Sequence, residues 1–299
     1  MADYKDLIKI LGEDRVKRNE PMAKHTTFGI GGPTDLFYEA KTREELVGAV
    51  KLVRKLKIPY FIVGGGSNLL ISHRGIRGMA IEIRNTEYEI RDTKIFADAG
   101  VSLRKLAQTA AKKSLSGLEF AVGIPGTVGG AVWGNAGADK EWIGNIVEEV
   151  KVLTTKNKIK KLSQTDCRFR YRTSRFKKNK EIILQVVLKL KKDDPEKIRE
   201  KIGEFLVKRK NQPKEKSAGS IFKNPEDKTA GWLIDQCGLK GKKIGNAQIS
   251  PKHANFIVNL GKAEADDVVQ LIKFAKREVF KKFGIKLEEE ISLIGFGKI

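Results

Sequence analysis

PYFIVGGGSNLL, residues 59–70, sets a short apolar run directly in front of three consecutive glycines. The run has the length and the aromatic and β-branched content of a buried strand. Neither common phosphate loop accounts for the turn that follows. A dinucleotide-binding turn needs G-x-G-x-x-G opening a helix. Here Asn68 is followed by LLISHRGIRG, too apolar and then too broken by glycine to start one. A Walker loop needs Gly-Lys-Ser/Thr, which this stretch lacks. Two readings remain. One is a plain tight turn after a buried strand. The other is a nest in which the backbone N–H groups of Gly64, Gly65, Gly66, Ser67 and Asn68 converge on an anion, since glycine offers no Cβ to block the approach. Three glycines with Ser and Asn in one turn favour the anion site.

Outward from the nest, strands and helices interleave. DLFYEA (35–40) reads as a strand. TREELVGAVKLVRKLK (42–57) reads as a helix, with Thr42 and Glu45 as a capping box and Leu46, Val50, Val53 and Leu56 on one face. MAIEI (79–83), YEI (88–90) and KIFADAG (94–100) are expected strands, and SLRKLAQTAAKKSL (102–115) a helix. Strands return at 147–155 and 181–190. The charged KKDDPEKIRE (191–200), with Pro195 placed for a helix start, marks a domain boundary. A helix with Ile198, Ile202, Phe205 and Leu206 inward follows, then a short helix at 229–239 and a strand at 254–260. An amphipathic helix carries Val268, Leu271, Ile272, Ala275, Val279 and Phe283 on one face, and a closing strand runs through IKLEEEISLIGF. The class is α+β, without repeats.

A second glycine-rich stretch, GIPGTVGGAVWGNAGA (123–138), has too little bulk for an ordinary core helix, and its glycines would let a flat ligand lie against backbone. A flexible linker is disfavoured, because Ile124, Val128, Val132 and Trp133 call for burial.

Composition narrows the class. At 299 residues the chain can bury a large core and divide into domains, and 40% apolar content is ordinary for a soluble protein. Nothing approaches 18 uninterrupted apolar residues, and the start lacks a secretory pattern. Cys167 and Cys237 stand 70 residues apart without a CxxC partner, which implies reduced structural thiols in the cytoplasm, with neither a disulfide nor a metal site. Net charge is +22. Residues 151–220 alone hold 23 Lys+Arg against 8 Asp+Glu. That excess fits a solvated lysine-rich surface, electrostatic steering of a phosphorylated substrate, or nucleic-acid binding; no nucleic-acid motif supports the last.

HTTFGIGGPTDLF, GGGSNLL, GLEFAVGIPGTVGGAVWGNAGA, FRYRTSRF, SAGSIFKNP, GWLIDQCGLKG and LEEEISLIG occur in this order from about residue 20 to 296. Together they resemble the UDP-N-acetylenolpyruvoylglucosamine reductase family. The resemblance implies a two-lobed FAD-binding region of the vanillyl-alcohol-oxidase/PCMH type at 1–193, its lobes split near 66–80, followed by a smaller α+β substrate-binding domain at 194–299. It implies non-covalent FAD, NADPH as reductant, a UDP-sugar as substrate, and no metal, membrane or nucleic-acid partner for a monomeric cytoplasmic enzyme. Carried over by position, the catalytic residues are Arg172, Ser220 as proton donor, and Glu290. Cofactor contacts fall on Gly64, Gly65, Gly66, Ser67, Asn68, Gly123, Ile124, Pro125, Gly126, Val128, Gly129, Asn135 and Ala136. Substrate contacts fall on Tyr171, Asn224, a cation near Lys210, and His253, which adds charge below neutrality.

Arginine suits the first role, because its planar fork grips a carboxylate in two places. A serine hydroxyl is a weak acid, but an enolate-like carbon is basic enough to take its proton. Only KKNK (177–180) separates TSRF from the strand at 181, which places the chain with the shorter, type II branch. Gly29, Gly134 and Asp139-Lys140 depart from the family pattern of arginine, methionine and Tyr/His-Gly. The alternatives are another flavin oxidoreductase of this fold, or a basic nucleic-acid-binding protein. Oxidases of this fold class often tether flavin through His or Cys, and none of His25, His73 and His253 lies within the glycine-rich turns.

Overall fold

The computed structural model describes residues 4–296. The chain forms two compact units, neither contiguous in sequence. The first comprises Met1–Val16, Tyr38–Gly65 and Ile81–Lys210, and the second Lys17–Phe37, Gly66–Ala80 and Asn211–Ile299. Two strands, Pro33–Ala40 and Ile76–Ile83, contribute residues to both.

The first unit opens with helix α1 (Lys5–Leu11), which the sequence reading did not anticipate, and is built around a five-stranded antiparallel sheet. Its strands run in the order Ile159–Ser163, Val147–Leu153, Ile182–Lys189, Lys94–Asp98, Tyr88–Arg91. Ile182–Lys189 is paired on both sides, with Val186 opposite Val150 and Ala97, and all three are buried. The Ile159–Ser163 edge is lysine-rich and exposed, which discourages pairing with another chain. Helix α2 (Arg43–Lys55) starts where Thr42 accepts from the Glu45 N–H, and buries Leu46, Ala49, Val50 and Val53. Helix α3 (Leu103–Lys112) is capped by Ser102 and buries Leu103, Leu106, Ala107 and Ala110.

The 123–138 stretch contains a helix after all, α4 (Val128–Gly134). Thr127 caps it by accepting from the Gly130 N–H, and Val128, Ala131 and Val132 are buried. Its glycines permit close packing rather than breaking the helix: a Cβ on Gly129 would lie 2.8 Å from the Ala99 Cβ. Asn135, left-handed at φ 47°, ends it. Helix α5 (Pro195–Lys208) has Asp194 as cap and proline in its first turn. Ile198 and Phe205 are buried, but Leu206, expected inward, is 47% exposed. One residue advances a helix by 100°, so with Phe205 inward its neighbour faces out.

The second unit packs helices α6 (Ala230–Gln236) and α7 (Ala265–Phe283) on the three-stranded sheet Lys243–Ile244, Ala247–Ile249, Ile257–Asn259. Its core includes Phe28, Leu70, Ile221, Phe222, Leu233, Val268, Leu271, Ile272 and Leu287. Helix α7 carries a Glu264/Asp267 capping box and ends at left-handed Gly284. Two expected strands are shorter than the sequence reading. Of 254–260 only Ile257–Asn259 joins the sheet, because 253–256 closes a turn with the Phe256 N–H donating to the His253 carbonyl at 3.0 Å. Of the closing stretch only Ser292–Ile294 is a regular strand, parallel to Leu69–Ile71.

Candidate active site

In the first unit the two glycine-rich stretches lie back to back. A Cβ on Gly64 would come within 2.7 Å of the Thr127 Oγ1, and one on Gly65 within 2.8 Å of the Gly126 Cα. Bulkier residues would drive the turns apart. The other side of α4 is open: a Cβ on Gly134 would meet nothing within 4 Å, and one on Gly130 only its own cap, Thr127. Ile124 and Ala136 are partly exposed beside this surface, Pro125 is exposed, and Val128 is buried.

Asn135 does structural work. Its side-chain carbonyl accepts from the Gly144 N–H at 3.0 Å, and its amide donates to the Arg170 carbonyl at 2.8 Å. Arg170 begins the tight turn that carries Tyr171 and Arg172, closed by reciprocal backbone bonds between Arg170 and Thr173. The Ser174 hydroxyl pins the far end by donating to the Trp133 carbonyl at 2.7 Å. Arg172 therefore sits at φ 51°, a left-handed conformation sparsely used by residues other than glycine and typical of strained functional positions. Its guanidinium stacks 5.3 Å from the Tyr171 ring, which is itself 49% exposed.

Sequence reasoning placed a cation near Lys210. Lys210 is exposed, whereas Arg209, one residue earlier, turns inward beneath Gly123, where any Cβ would overlap its side chain. Burial, then the like charges of Arg104 and Arg172, push Arg209 below the ordinary arginine value. Arginine stays charged regardless. No carboxylate acts on it, and its guanidinium has no hydrogen-bond partner among the described residues. Such a cluster calls for an anion from outside the protein. A signal was present in the sequence: 198, 202, 205 and 209 fall on one helical face.

In the second unit Asn68, His253 and Glu290 are tied by hydrogen bonds and a bridge to the Ser220–Phe222 segment, and Gly66 and Ser67 precede Asn68 in the chain. Gly66 is left-handed (φ 61°) and buried, and a side chain there would overlap the His25 carbonyl. His25 thus abuts Gly66 through its backbone, although it lies outside both glycine-rich turns in sequence; its ring pairs with Glu20 at 3.1 Å and tilts over Phe37. Gly219, at φ 78°, lets the chain turn into Ser220, which forms an isolated bridge with Phe256. On one side the Ile221 N–H donates to the Asn255 carbonyl at 2.8 Å, and the Asn255 side chain spans both backbone groups of Phe222. On the other side the Glu290 N–H donates to the Ile221 carbonyl at 2.8 Å. Asn68 of the nest donates its amide to the Glu290 carbonyl at 3.0 Å. The Ser220 hydroxyl has no partner among the described residues.

Asn224 accepts from the Ala230 N–H and so holds the start of α6. His253 corrects an expectation. Burial, aided by the charge of Lys240, holds its imidazole below the usual value, so it stays neutral further into the acid range rather than adding charge just below neutrality. Its Nδ1 accepts from the Asn255 N–H at 3.2 Å. Among the described residues no cluster of His, Cys, Asp or Glu could hold a metal. Burial raises the Cys167 thiol to about 12, consistent with an inert structural role. No helix among the described residues is long and apolar enough to cross a membrane.

Residues 34–163 match the family described as an FAD binding domain. Residues 212–294 match the UDP-N-acetylenolpyruvoylglucosamine reductase C-terminal domain. The chain is 42% identical over its whole length to all of the UDP-N-acetylenolpyruvoylglucosamine reductase of Clostridium tetani. A crystal structure of the Thermus caldophilus reductase superposes with a TM-score of 0.82 at 39% identity, covering 94% of this chain and 99% of that one. A glucose dehydrogenase, Phl p 4.0202, shares the fold alone, with a TM-score of 0.50 at 14% identity over 63% of this chain and 44% of that one. The residues present fit FAD: an open glycine surface on α4 suits a flat ring, and the uncompensated Arg209 cluster suits an anionic group. By full-length similarity, by both matched domains and by a site whose loops suit a flat dinucleotide, the chain belongs to the UDP-N-acetylenolpyruvoylglucosamine reductase family.

Proposed function

We propose that the chain uses NADPH to reduce the enolpyruvyl group of UDP-N-acetylglucosamine enolpyruvate, giving UDP-N-acetylmuramate for peptidoglycan synthesis. The observation that carries this reading is Ser220, a hydroxyl without a partner among the described residues, on a segment fixed by backbone bonds from both sides. In functional terms, residues 1–193 hold FAD and also lend Tyr171 and Arg172 to the substrate, and residues 194–299 supply the rest of the UDP-sugar site.

When bound, FAD would supply hydride chemistry at the terminal carbon of the enolpyruvyl group, with NADPH as the reductant. Negative charge then develops on the neighbouring carbon and spreads onto its carboxylate. Arg172 grips that carboxylate through its fork and stabilises the charge. Ser220 donates its proton to the carbanion carbon, completing a net addition of two hydrogens. Glu290 orients the carboxylate site. Arg209, in place of the expected Lys210, supplies positive charge toward the bound anions, and Tyr171, Asn224 and His253 contact the substrate. His253 serves as a neutral hydrogen-bonding group. The enzyme works as a monomer in the cytoplasm.

The test is an anaerobic mixing experiment on the purified holoprotein. NADPH should bleach its flavin absorbance, and the UDP-sugar enolpyruvate should restore it with a product heavier by two hydrogens. Recovery of the colour only on admitting oxygen would refute the reductase reading.

A further inference from the structure

Lys216 reaches a place made for it. In the second unit, Gly29 ends a turn in which its N–H donates to the Thr26 carbonyl at 3.1 Å, and it adopts φ 65°. The space a side chain would fill is taken by Lys216: a Cβ on Gly29 would lie 2.9 Å from the Lys216 Cδ and 3.5 Å from its Nζ. The root of the lysine is fixed as well. Its carbonyl accepts from the Asn259 N–H at 2.9 Å, and the next carbonyl, of Ser217, accepts from the Thr27 hydroxyl at 2.7 Å. Some lysines of the same unit pair with carboxylates, as in Lys223–Glu288, Lys240–Asp235 and Lys276–Glu289, and others do not. Lys216 has no ion pair among the described residues.

The turn beneath it rests on the glycine turn that ends at Gly66. The Thr27 N–H donates to the Gly66 carbonyl at 3.2 Å, and Gly66 has no side chain because His25 and Thr26 lie against it. A preorganised ammonium beside a run of small backbone groups is the arrangement that holds a phosphate. Packing the lysine stem on Gly29 lowers the entropy lost when its head engages a ligand. We infer that Lys216, held over Gly29, is a diphosphate-binding residue of this site. This rests on the reductase reading, which supplies two diphosphates, that of FAD and that of the UDP-sugar.

The experiment titrates flavin-free protein with FAD and with riboflavin, by quenching of flavin fluorescence, and measures the KM of the UDP-sugar on the holoenzyme. Wild type is compared with Lys216→Gln, Lys216→Arg and Gly29→Ala. If the FAD diphosphate is the ligand, Lys216→Gln weakens FAD roughly 10-fold, a usual size for one charge-assisted contact, and leaves riboflavin binding alone. If the UDP-sugar diphosphate is the ligand, KM rises by a similar factor and FAD affinity holds. In either case Lys216→Arg restores most of the loss, and Gly29→Ala mimics it in the wild type but adds little in Lys216→Gln. Lys216 is exposed, so its variants should fold, and an unchanged melting temperature checks this. Unchanged FAD affinity and unchanged KM in Lys216→Gln would overturn the inference while leaving the reductase reading intact. A wild type that bound neither ligand would overturn both.

Discussion

Arg172 sits in a strained turn, whereas Ser220 lies on a segment bonded through backbone on both sides. The Arg172 turn depends on side chains: Asn135 reaches across to the Arg170 carbonyl, Ser174 to the Trp133 carbonyl, and the arginine itself sits in a left-handed conformation. The Ser220 segment is bonded through the backbone of Ile221 on both sides, to Asn255 and to Glu290, and the Asn255 side chain braces Phe222 beside it. A guanidinium must be aimed in two directions to grip a carboxylate, so a strained but stiff turn suits it. A hydroxyl needs only to be at the right place, which a backbone ladder secures. Charge is also distributed unequally. The first unit gathers arginines that repel one another, whereas Ser220 and His253 of the second are neutral.

The contrast predicts where each region breaks. The largest effect should come from Gly66→Ala, because a methyl there meets the backbone of His25 and Thr26 in a left-handed conformation. Overpacking and strain together should cost about 2–6 kcal/mol, a large part of the roughly 5–15 that holds a domain folded. Thermal melting and flavin content would both fall; an intact, fully yellow variant would show that the nest can yield.

Arg172→Lys comes next. It keeps the charge and loses the fork, so turnover of the enolpyruvyl substrate should drop by roughly 10²-fold or more with a smaller change in KM. Near-normal turnover would make Arg172 a surface cation with an unusual backbone.

The smallest effect concerns pH. Because the folded His253 lies below its usual value of 6.5, the unfolded chain takes up a proton that the folded chain refuses in the window below that pH. Stability should therefore rise with pH through that window and level off above it. His253→Gln should flatten the slope, measured as melting temperature against pH. An unaltered slope would assign the pH dependence to other groups.

Much of this was legible before the structure. The Thr42/Glu45 cap and the inward residues of α7 are local signals, and local hydrogen bonding and burial produce them directly. The α4 helix was not legible, because glycine means a turn or a close approach according to what lies opposite, and Ala99 is distant in sequence. Leu206 was read inward and faces out, since one residue is enough to leave a helical face. The inward turn of Arg209, next to the proposed Lys210, was hidden for the converse reason: its helical face pointed in, but a cation at the end of a lysine-rich helix looks like surface. The approach of the His25 carbonyl to Gly66 has no periodic trace, being a contact between two turns.

The most direct test of the central claim follows both half-reactions of Ser220→Ala by stopped-flow flavin absorbance. Reduction by NADPH requires no proton at the sugar's carbon and should proceed near the wild-type rate. Reoxidation by the UDP-sugar enolpyruvate should slow by roughly 10²–10⁴-fold, the range expected on removing a positioned general acid. Equal slowing of both halves would contradict the account and make Ser220 a residue that positions the flavin instead of one that delivers the proton.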